Sequence, residues 1–387
     1  MRFLRNRKVR AWILQIGYVL ILLGAVVAGA IITKRNLDAQ GISSSFDFLW
    51  SATGWDLTSS MLPTATTDPY WWFLLMGFVN TLFMGIVGLT GATIVGGMIG
   101  LARVSSNKAA QLLGTIYVEI FRNIPMIVQL FFIYAWANQL PSPRQAFHFA
   151  GFVLSNRGLY IPGLNVAGWS VALFYFIVAV ALIALLVLAA ARPFRRLETR
   201  TRRAAVLAIV TIAVVLALPT LLIGHEAGTP ILTVPELAGL NIRGGYRIRP
   251  EFYALAFAIA IYGGAYIAEI VRGGFNSVDR GQTEAAQSLG LTPWQSFIRI
   301  RLPLALRSML PILANQYIWL VKATTLGIAV GYADLFMVIA SSITQSGQTL
   351  AFIAILMGAF LLLNFTIAAI FNAINKAVAL KGHQLRS

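Results

Sequence analysis

Residues 284–303 open with Glu284-Ala285-Ala286-Gln287-Ser288-Leu289-Gly290 and close, after nine further residues, with Ile300-Arg301-Leu302-Pro303. This polar, charged stretch is wedged between two long apolar runs, so it stands in water beside a membrane. Its punctuation predicts two short helices. Gly290 fits the left-handed position that ends the first. Thr292-Pro293-Trp294-Gln295 starts the second, with Thr292 as N-cap, Pro293 at the first helical position and Gln295 closing a capping box. A short capped helix at a membrane face is a docking element for a soluble partner.

The rest of the composition fits that placement. Of 387 residues, 58% are hydrophobic and only 11% charged, with a mean hydropathy of +0.77. A soluble domain carries roughly 25% charged residues, so the chain reads as an integral membrane protein. The absence of Cys excludes a disulfide framework, a thiol nucleophile and a cysteine metal site. The three scattered histidines, His148, His225 and His383, give no basis for a metal centre. A net charge of +17 fits nucleic acid in principle, but the placement of the charges argues for a membrane.

A spanning helix needs about 20 apolar residues. Eight stretches qualify, roughly 12–32, 71–101, 112–137, 168–190, 204–223, 251–272, 308–332 and 350–376. Eight crossings put both termini on one side. With those termini inside, cytoplasmic segments hold 21 of the 30 Lys and Arg and outer segments hold 7, while Arg122 and Lys322 fall within spans. That bias is strongly positive-inside and explains the basic charge without nucleic acid. The basic loop Arg192–Arg203 is its clearest anchor, in contact with membrane lipid. The apolar run from Ala11 to Ile32 is longer than the ~7–15 residues of a signal-peptide core, and is read as a retained anchor. Gly96–Gly100 and Gly327–Gly331 each hold G-x-x-x-G, a spacing for close helix approach, either within the subunit or between subunits.

The spacing E-A-A-x3-G-x9-I-x-L-P resembles the EAA loop of the permease subunits of binding-protein-dependent ABC importers. A second stretch, Tyr117-Val118-Glu119-Ile120-Phe121-Arg122-Asn123-Ile124-Pro125 with Gln129, is similar to a segment of permeases for polar amino acids. So are Ala265–Gly274, Gln316-Tyr317, Lys322 and Gly331-Tyr332-Ala333-Asp334-Leu335. The chain departs at Ala323-Thr324-Thr325, where that family usually has Asn-Ser-Ser. The resemblance implies an all-α inner-membrane permease with a five-helix core supplied by 71–137 and 251–387. Residues 1–70 add a cytoplasmic tail, an anchor helix and an outer loop. Residues 138–250 add an insertion with two further spans, as in the longer permeases of broad-range L-amino-acid importers. Within the core, the coupling loop occupies 279–303.

The resemblance assigns ATPase coupling to Glu284, Ala285, Ala286, Gly290, Ile300, Leu302 and Pro303. Candidates for the translocation path or its gate come from the polar residues of the spans. Glu119/Arg122 and Glu269/Arg272 share an i, i+3 spacing that lets each pair on one helix face. They serve either as ion pairs fixing helix ends or in gating. Lys322 falls near the middle of its span, where a cation faces a cavity or a carboxylate rather than lipid. Gln316, Thr324 and Thr325 stand near it in sequence, and Asn80 and Thr81 are weaker candidates. Asp334 reads as a cap or loop residue at the outer face.

No G-x-x-x-x-G-K-[ST] occurs, so the chain holds no cofactor, and ATP and Mg belong to a partner ATPase. The expected partners are an ATPase dimer, a second related permease and a periplasmic amino-acid-binding protein. The rival is an ion-coupled secondary amino-acid transporter. It needs intramembrane carboxylates and broken helices near the midplane, whereas the acids here lie in loops or at helix ends. A membrane enzyme needs paired carboxylates, histidine ligands or a Ser/His arrangement within spans, and the sequence has none of these.

Overall fold

The computed structural model describes residues 7–39, 46–57, 60, 64–190, 199–225 and 228–378. Its helices are α1 (Arg7–Ala39), α2 (Tyr70–Val104), α3 (Lys108–Asn123), α4 (Met126–Asn138), α5 (Gly168–Ala190), α6 (Thr199–Ile223), α7 (Pro250–Asn276), α8 (Arg280–Ser288), α9 (Pro293–Ser296), α10 (Leu302–Lys322), α11 (Leu335–Ser346) and α12 (Thr349–Val378). Among the described residues, four helical stretches are long and apolar enough to cross a membrane alone: Tyr70–Val104, Arg200–Ile223, Pro250–Asn276 and Thr349–Asn375.

Two further crossings, among the eight expected, are bent. The predicted span 112–137 is the pair α3 and α4, meeting at 99°. Pro125 is the cause. It has no N–H for a helical bond, and it pushes Ile124 into extended backbone with ψ 125°. The predicted span 308–332 becomes a longer rod, Pro293–Val330, bent by 50° from Leu335–Ser346. The remaining two expected crossings coincide with α1 and α5, whose qualifying apolar stretches are only Leu14–Gly29 and Gly168–Val178. Of the basic loop 191–203, residues 191–198 lie outside the described residues, as do 1–6 and 379–387.

The core is organised around α2 and α7, which run parallel with matched contact positions. A Cβ built on Gly96 would sit 2.6 Å from Ile267 Cβ, and one on Gly100 2.5 Å from Val271 Cβ. These glycines let the two backbones approach, so this G-x-x-x-G packs within the subunit. The second does not act as a stripe: Gly327–Gly331 ends a 3-10 run (Ala323–Val330), and Gly331 is left-handed with φ +81°. Met84, Leu130, Leu255, Ile259, Ile267 and Met309 belong to one buried cluster around α7. A second cluster joins the start of α2 (Phe73, Met76) to α11 and α12 (Leu335, Val338, Phe352).

The segments flanking the insertion's helices fold into short strands. Strands β1 (Phe147–Phe149), β2 (Phe152–Ser155), β3 (Gly158–Ile161) and β8 (Tyr246–Ile248) form one antiparallel sheet. Strands β4 (Gly163–Leu164) and β5 (Leu232–Thr233), and β6 (Glu236–Ala238) and β7 (Asn241–Arg243), pair in two small ribbons. The β3–β8 pairing joins Leu159 to Ile248 across the whole insertion. β8 then runs through Arg249 directly into α7. The insertion's strand platform and the loop 279–303 therefore hang on opposite ends of one helix.

Candidate functional site

The loop folds as its punctuation predicts. Asp279 caps α8, its carboxylate accepting from Gly281 N at 2.8 Å. Gly290 has φ +74°. Its N–H reaches Gln287 O at 2.9 Å, and Leu291 N reaches Ala286 O at 3.1 Å, closing the helix end. Thr292 and Gln295 form the capping box, with Thr292 N donating to Gln295 Oε1 at 3.1 Å and Gln295 N to Thr292 Oγ1 at 3.3 Å. Ala286 is buried, while Glu284, Ala285 and Gly290 are exposed and Ile300, Leu302 and Pro303 are half-buried. Leu289 and Trp294 project an apolar surface, 81% and 68% exposed.

The loop is also fastened to the membrane helices. A π-turn (Phe297–Arg301) leads into α10. Phe297 stacks on Phe275 at the end of α7, with centroids 5.5 Å apart, and on Trp294 at 5.8 Å. Arg301 lies over the Phe275 ring. Ser277 donates to Ser308 across the α7–α10 corner at 3.0 Å. The loop is thereby packed against both α7 and α10.

Just above this corner lies a cluster of three charges. Glu269 binds Arg272 on its own helix, as the spacing predicts, and also Arg103 at the end of α2. Arg103 was not a sequence candidate, because nothing in the sequence relates positions 166 residues apart. It is nearly buried, so the carboxylate ties α2 to α7 at the level where Gly100 already brings them together. The Glu119/Arg122 pair does not form. Arg122 turns instead onto the Tyr266 ring of α7, 5.0 Å from its centroid. Glu119 is exposed, and among the described residues its carboxylate is approached only by the Asn123 side chain, at 3.4 Å. An i, i+3 spacing permits pairing, but an aromatic face on the neighbouring helix wins the guanidinium.

The second resemblance motif marks architecture. Gln129 Nε2 donates to Phe121 O and Ile124 O, each at 2.9 Å, supplying the carbonyls freed at the 99° bend. Tyr117 OH donates to Ile261 O at 2.7 Å, pinning α3 to α7.

Near the other break, polar candidates hold backbone. Asn80 Nδ2 donates to Ala333 O at 2.8 Å, and Tyr332 OH donates to Asn80 O at 3.0 Å. Thr81 Oγ1 accepts from Leu335 N at 3.0 Å. Asp334, fully buried, caps α11 through Met337 N, as its cap reading required. Thr324 and Thr325 donate to Val321 O and Lys322 O, each at 2.8 Å. Lys322 is the last α-helical residue of α10, and the rod runs on through the 3-10 turns Ala323–Val330, so it stands within the crossing rather than at its end. Its side chain is exposed, with no carboxylate partner among the described residues. Gln316 is half-buried on the same helix.

A bundle of straight and bent apolar helices, with a capped loop that exposes Leu289 and Trp294, defines a multi-pass membrane protein. A family model described as "Binding-protein-dependent transport system inner membrane component" matches residues 200–380. The chain is 36% identical over 378 residues to the putative amino-acid ABC transporter permease protein YhdX of Escherichia coli, covering 97% of this chain and 95% of that one. It is 35% identical over 386 residues to the general L-amino acid transport system permease protein AapQ of Rhizobium johnstonii, covering 96% and 93%. The crystal structure of an amino acid ABC transporter with histidines shares 20% identity and a TM-score of 0.47, covering 80% of this chain and 95% of that one. This chain belongs to the family of binding-protein-dependent transport system inner membrane components, and is a multi-pass permease of the inner membrane. The segment 138–250 is shared with the full-length relatives, whereas 71–137 lies outside the family model's match.

Proposed function

We propose that this chain is the permease subunit through which an ATP-driven importer moves polar L-amino acids into the cytoplasm. A periplasmic binding protein delivers the substrate to the outer loops and the insertion. A dimer of ATPase subunits, which bind ATP and Mg, docks on the loop 279–303. A second, related permease completes the pathway. Both termini face the cytoplasm, on the side of the loop. ATP binding closes the ATPase dimer, shifts the loop, and tilts the core helices between inward-open and outward-open states. Lys322, with Gln316 near it on α10, is the path candidate that the geometry leaves free to meet a substrate carboxylate. Asn80, Thr81, Thr324 and Thr325 hold the helix break that positions it. Glu269, Arg272 and Arg103 brace the inner end, and Glu119 and Arg122 flank it.

The observation that carries this reading is the loop itself. It is rigidly capped, exposes Leu289 and Trp294, and is stacked onto α7 through Phe297 and Phe275. The test is purification of the tagged chain from its native membrane, with identification of what accompanies it. An ATPase and a second permease are expected. The ATPase should be lost when Glu284 and Gly290 are both replaced. Gly290→Val alone forces a β-branched residue into left-handed backbone, at a cost of about 1–2 kcal/mol. It should uncouple ATP hydrolysis from uptake while the protein still inserts. Normal uptake by Gly290→Val, or recovery of this chain alone under mild conditions, counts against the reading.

A further inference from the structure

At the end of the molecule opposite the coupling loop lies a cavity of about 530 Å³. One wall is the segment after α1, contributing Asp56, and the other is β8 and its continuation, contributing Arg247 and Arg249. The core helices close the bottom. Phe83 of α2 stacks on Phe252 of α7 with centroids 5.4 Å apart, and Phe252 meets Tyr332 at 6.0 Å. Glu251, in the first turn of α7, also lines it. Asn80 also lines it, whereas Lys322, Gln316, Thr324 and Thr325 do not.

The cavity holds both signs of charge, and they do not neutralise each other. Among the described residues, ion pairs are confined to Glu269 with Arg103 and Arg272. Arg249 occupies the N-cap of α7, yet its side chain makes no capping bond. Its guanidinium has no ion pair or hydrogen bond among the described residues. Arg247 donates through Nε to Arg157 O at 2.8 Å, which orients the group and leaves its terminal nitrogens. Two residues on from Arg249, Glu251 Oε2 is buried with no hydrogen-bond partner among the described residues. A buried carboxylate oxygen without a donor is costly and calls for a cationic or N–H partner. Asp56 is steadied through Oδ1 by Leu57 N and Thr64 Oγ1, each at 2.7 Å.

Separated opposite charges above an aromatic floor match a small molecule that carries a carboxylate and an ammonium together. The volume lies within the range of roughly 300–1,000 Å³ typical of ligand pockets. We propose that this cavity is a receiving site for a free zwitterionic α-amino acid. Arg249, helped by Arg247, holds its carboxylate. Glu251, helped by Asp56, takes its ammonium. The site rests on the amino-acid reading above, and adds to it a place where the permease itself recognises the substrate's backbone groups. The insertion supplies half of the recognition through β8.

The intact transporter, assembled with its ATPase in lipid nanodiscs without binding protein, is titrated with radiolabelled L-glutamine. Its deaminated and decarboxylated analogues compete. L-Glutamine is expected to bind better than either. Arg249→Ala should weaken it by about tenfold or more, the effect of losing a charge-assisted hydrogen bond, with partial recovery in Arg249→Lys. Glu251→Gln should weaken L-glutamine but leave the deaminated analogue unchanged. Unchanged binding in both Arg249→Ala and Glu251→Gln, in a transporter that imports L-glutamine from its binding protein, overturns the site and leaves the import reading standing. If Arg249→Ala does not assemble, the wild-type protein decides: equal affinity for L-glutamine and both analogues overturns the site. A wild-type transporter that imports no amino acid overturns both.

Discussion

Glu269 answers two guanidiniums from different helices, and the asymmetry of that arrangement can be measured. Glu269→Gln leaves Arg103 and Arg272 facing each other with no anion between them. Arg103 is nearly buried but Arg272 is 37% exposed, so solvent absorbs part of the loss. The expected destabilisation is about 2 kcal/mol, read as a lower unfolding temperature of the purified protein. Arg272→Gln should cost less than Arg103→Gln for the same reason. Glu119→Gln should change stability by less than about 0.5 kcal/mol, because the exposed Glu119 carboxylate has no cation partner among the described residues. A loss at Glu119 as large as at Glu269 would show that the two Glu-x-x-Arg pairs are equivalent after all.

At the scale of elements, the two breaks carry the most information. Gln129→Leu keeps the volume but strips both carbonyls at the α3–α4 bend of their donor. A cost of about 2–3 kcal/mol is expected, with faster proteolysis near Pro125 as a second readout. Thr81→Val removes a single hydroxyl from the α11 cap and should cost about 1–2 kcal/mol, seen in the same thermal assay. These breaks also show where sequence reading stopped. The Gly290 helix end and the Thr292–Gln295 capping box were legible, because caps and left-handed glycines are local signals within a few residues of each other, whereas the Asp279 cap and the π-turn of Phe297–Arg301 were not read. Pro125 lay in plain view, yet an apolar window of 20 residues averages over it. Its bend became visible only with Gln129 folded back onto the freed carbonyls. Arg103 and the β3–β8 pairing were beyond reach, because each depends on residues brought together from distant parts of the chain. The small outer strands, of two to four residues, are too short to carry an alternating pattern.

For the whole molecule, the absence of cysteine provides a direct map of sidedness. Asn241→Cys, on the platform, should react with an impermeant maleimide in spheroplasts. Gln287→Cys, on the coupling loop, should react only after permeabilisation. The opposite labelling would invert the orientation drawn from the basic residues.

The helix α7 joins these two surfaces without interruption. Its 27 residues span about 40 Å at 1.5 Å per residue, with β8 at one end and the Phe275–Phe297 stack at the other. Neighbouring crossings bend at Pro125 and around Gly331, but this one passes straight through. A continuous strut has no preferred direction of signalling. If nucleotide-driven movement at the loop changes the affinity of the outer face by some factor, occupancy of the outer face must change loop docking by that same factor. The ATPase is then as much a sensor of what waits outside as it is the motor that brings it in.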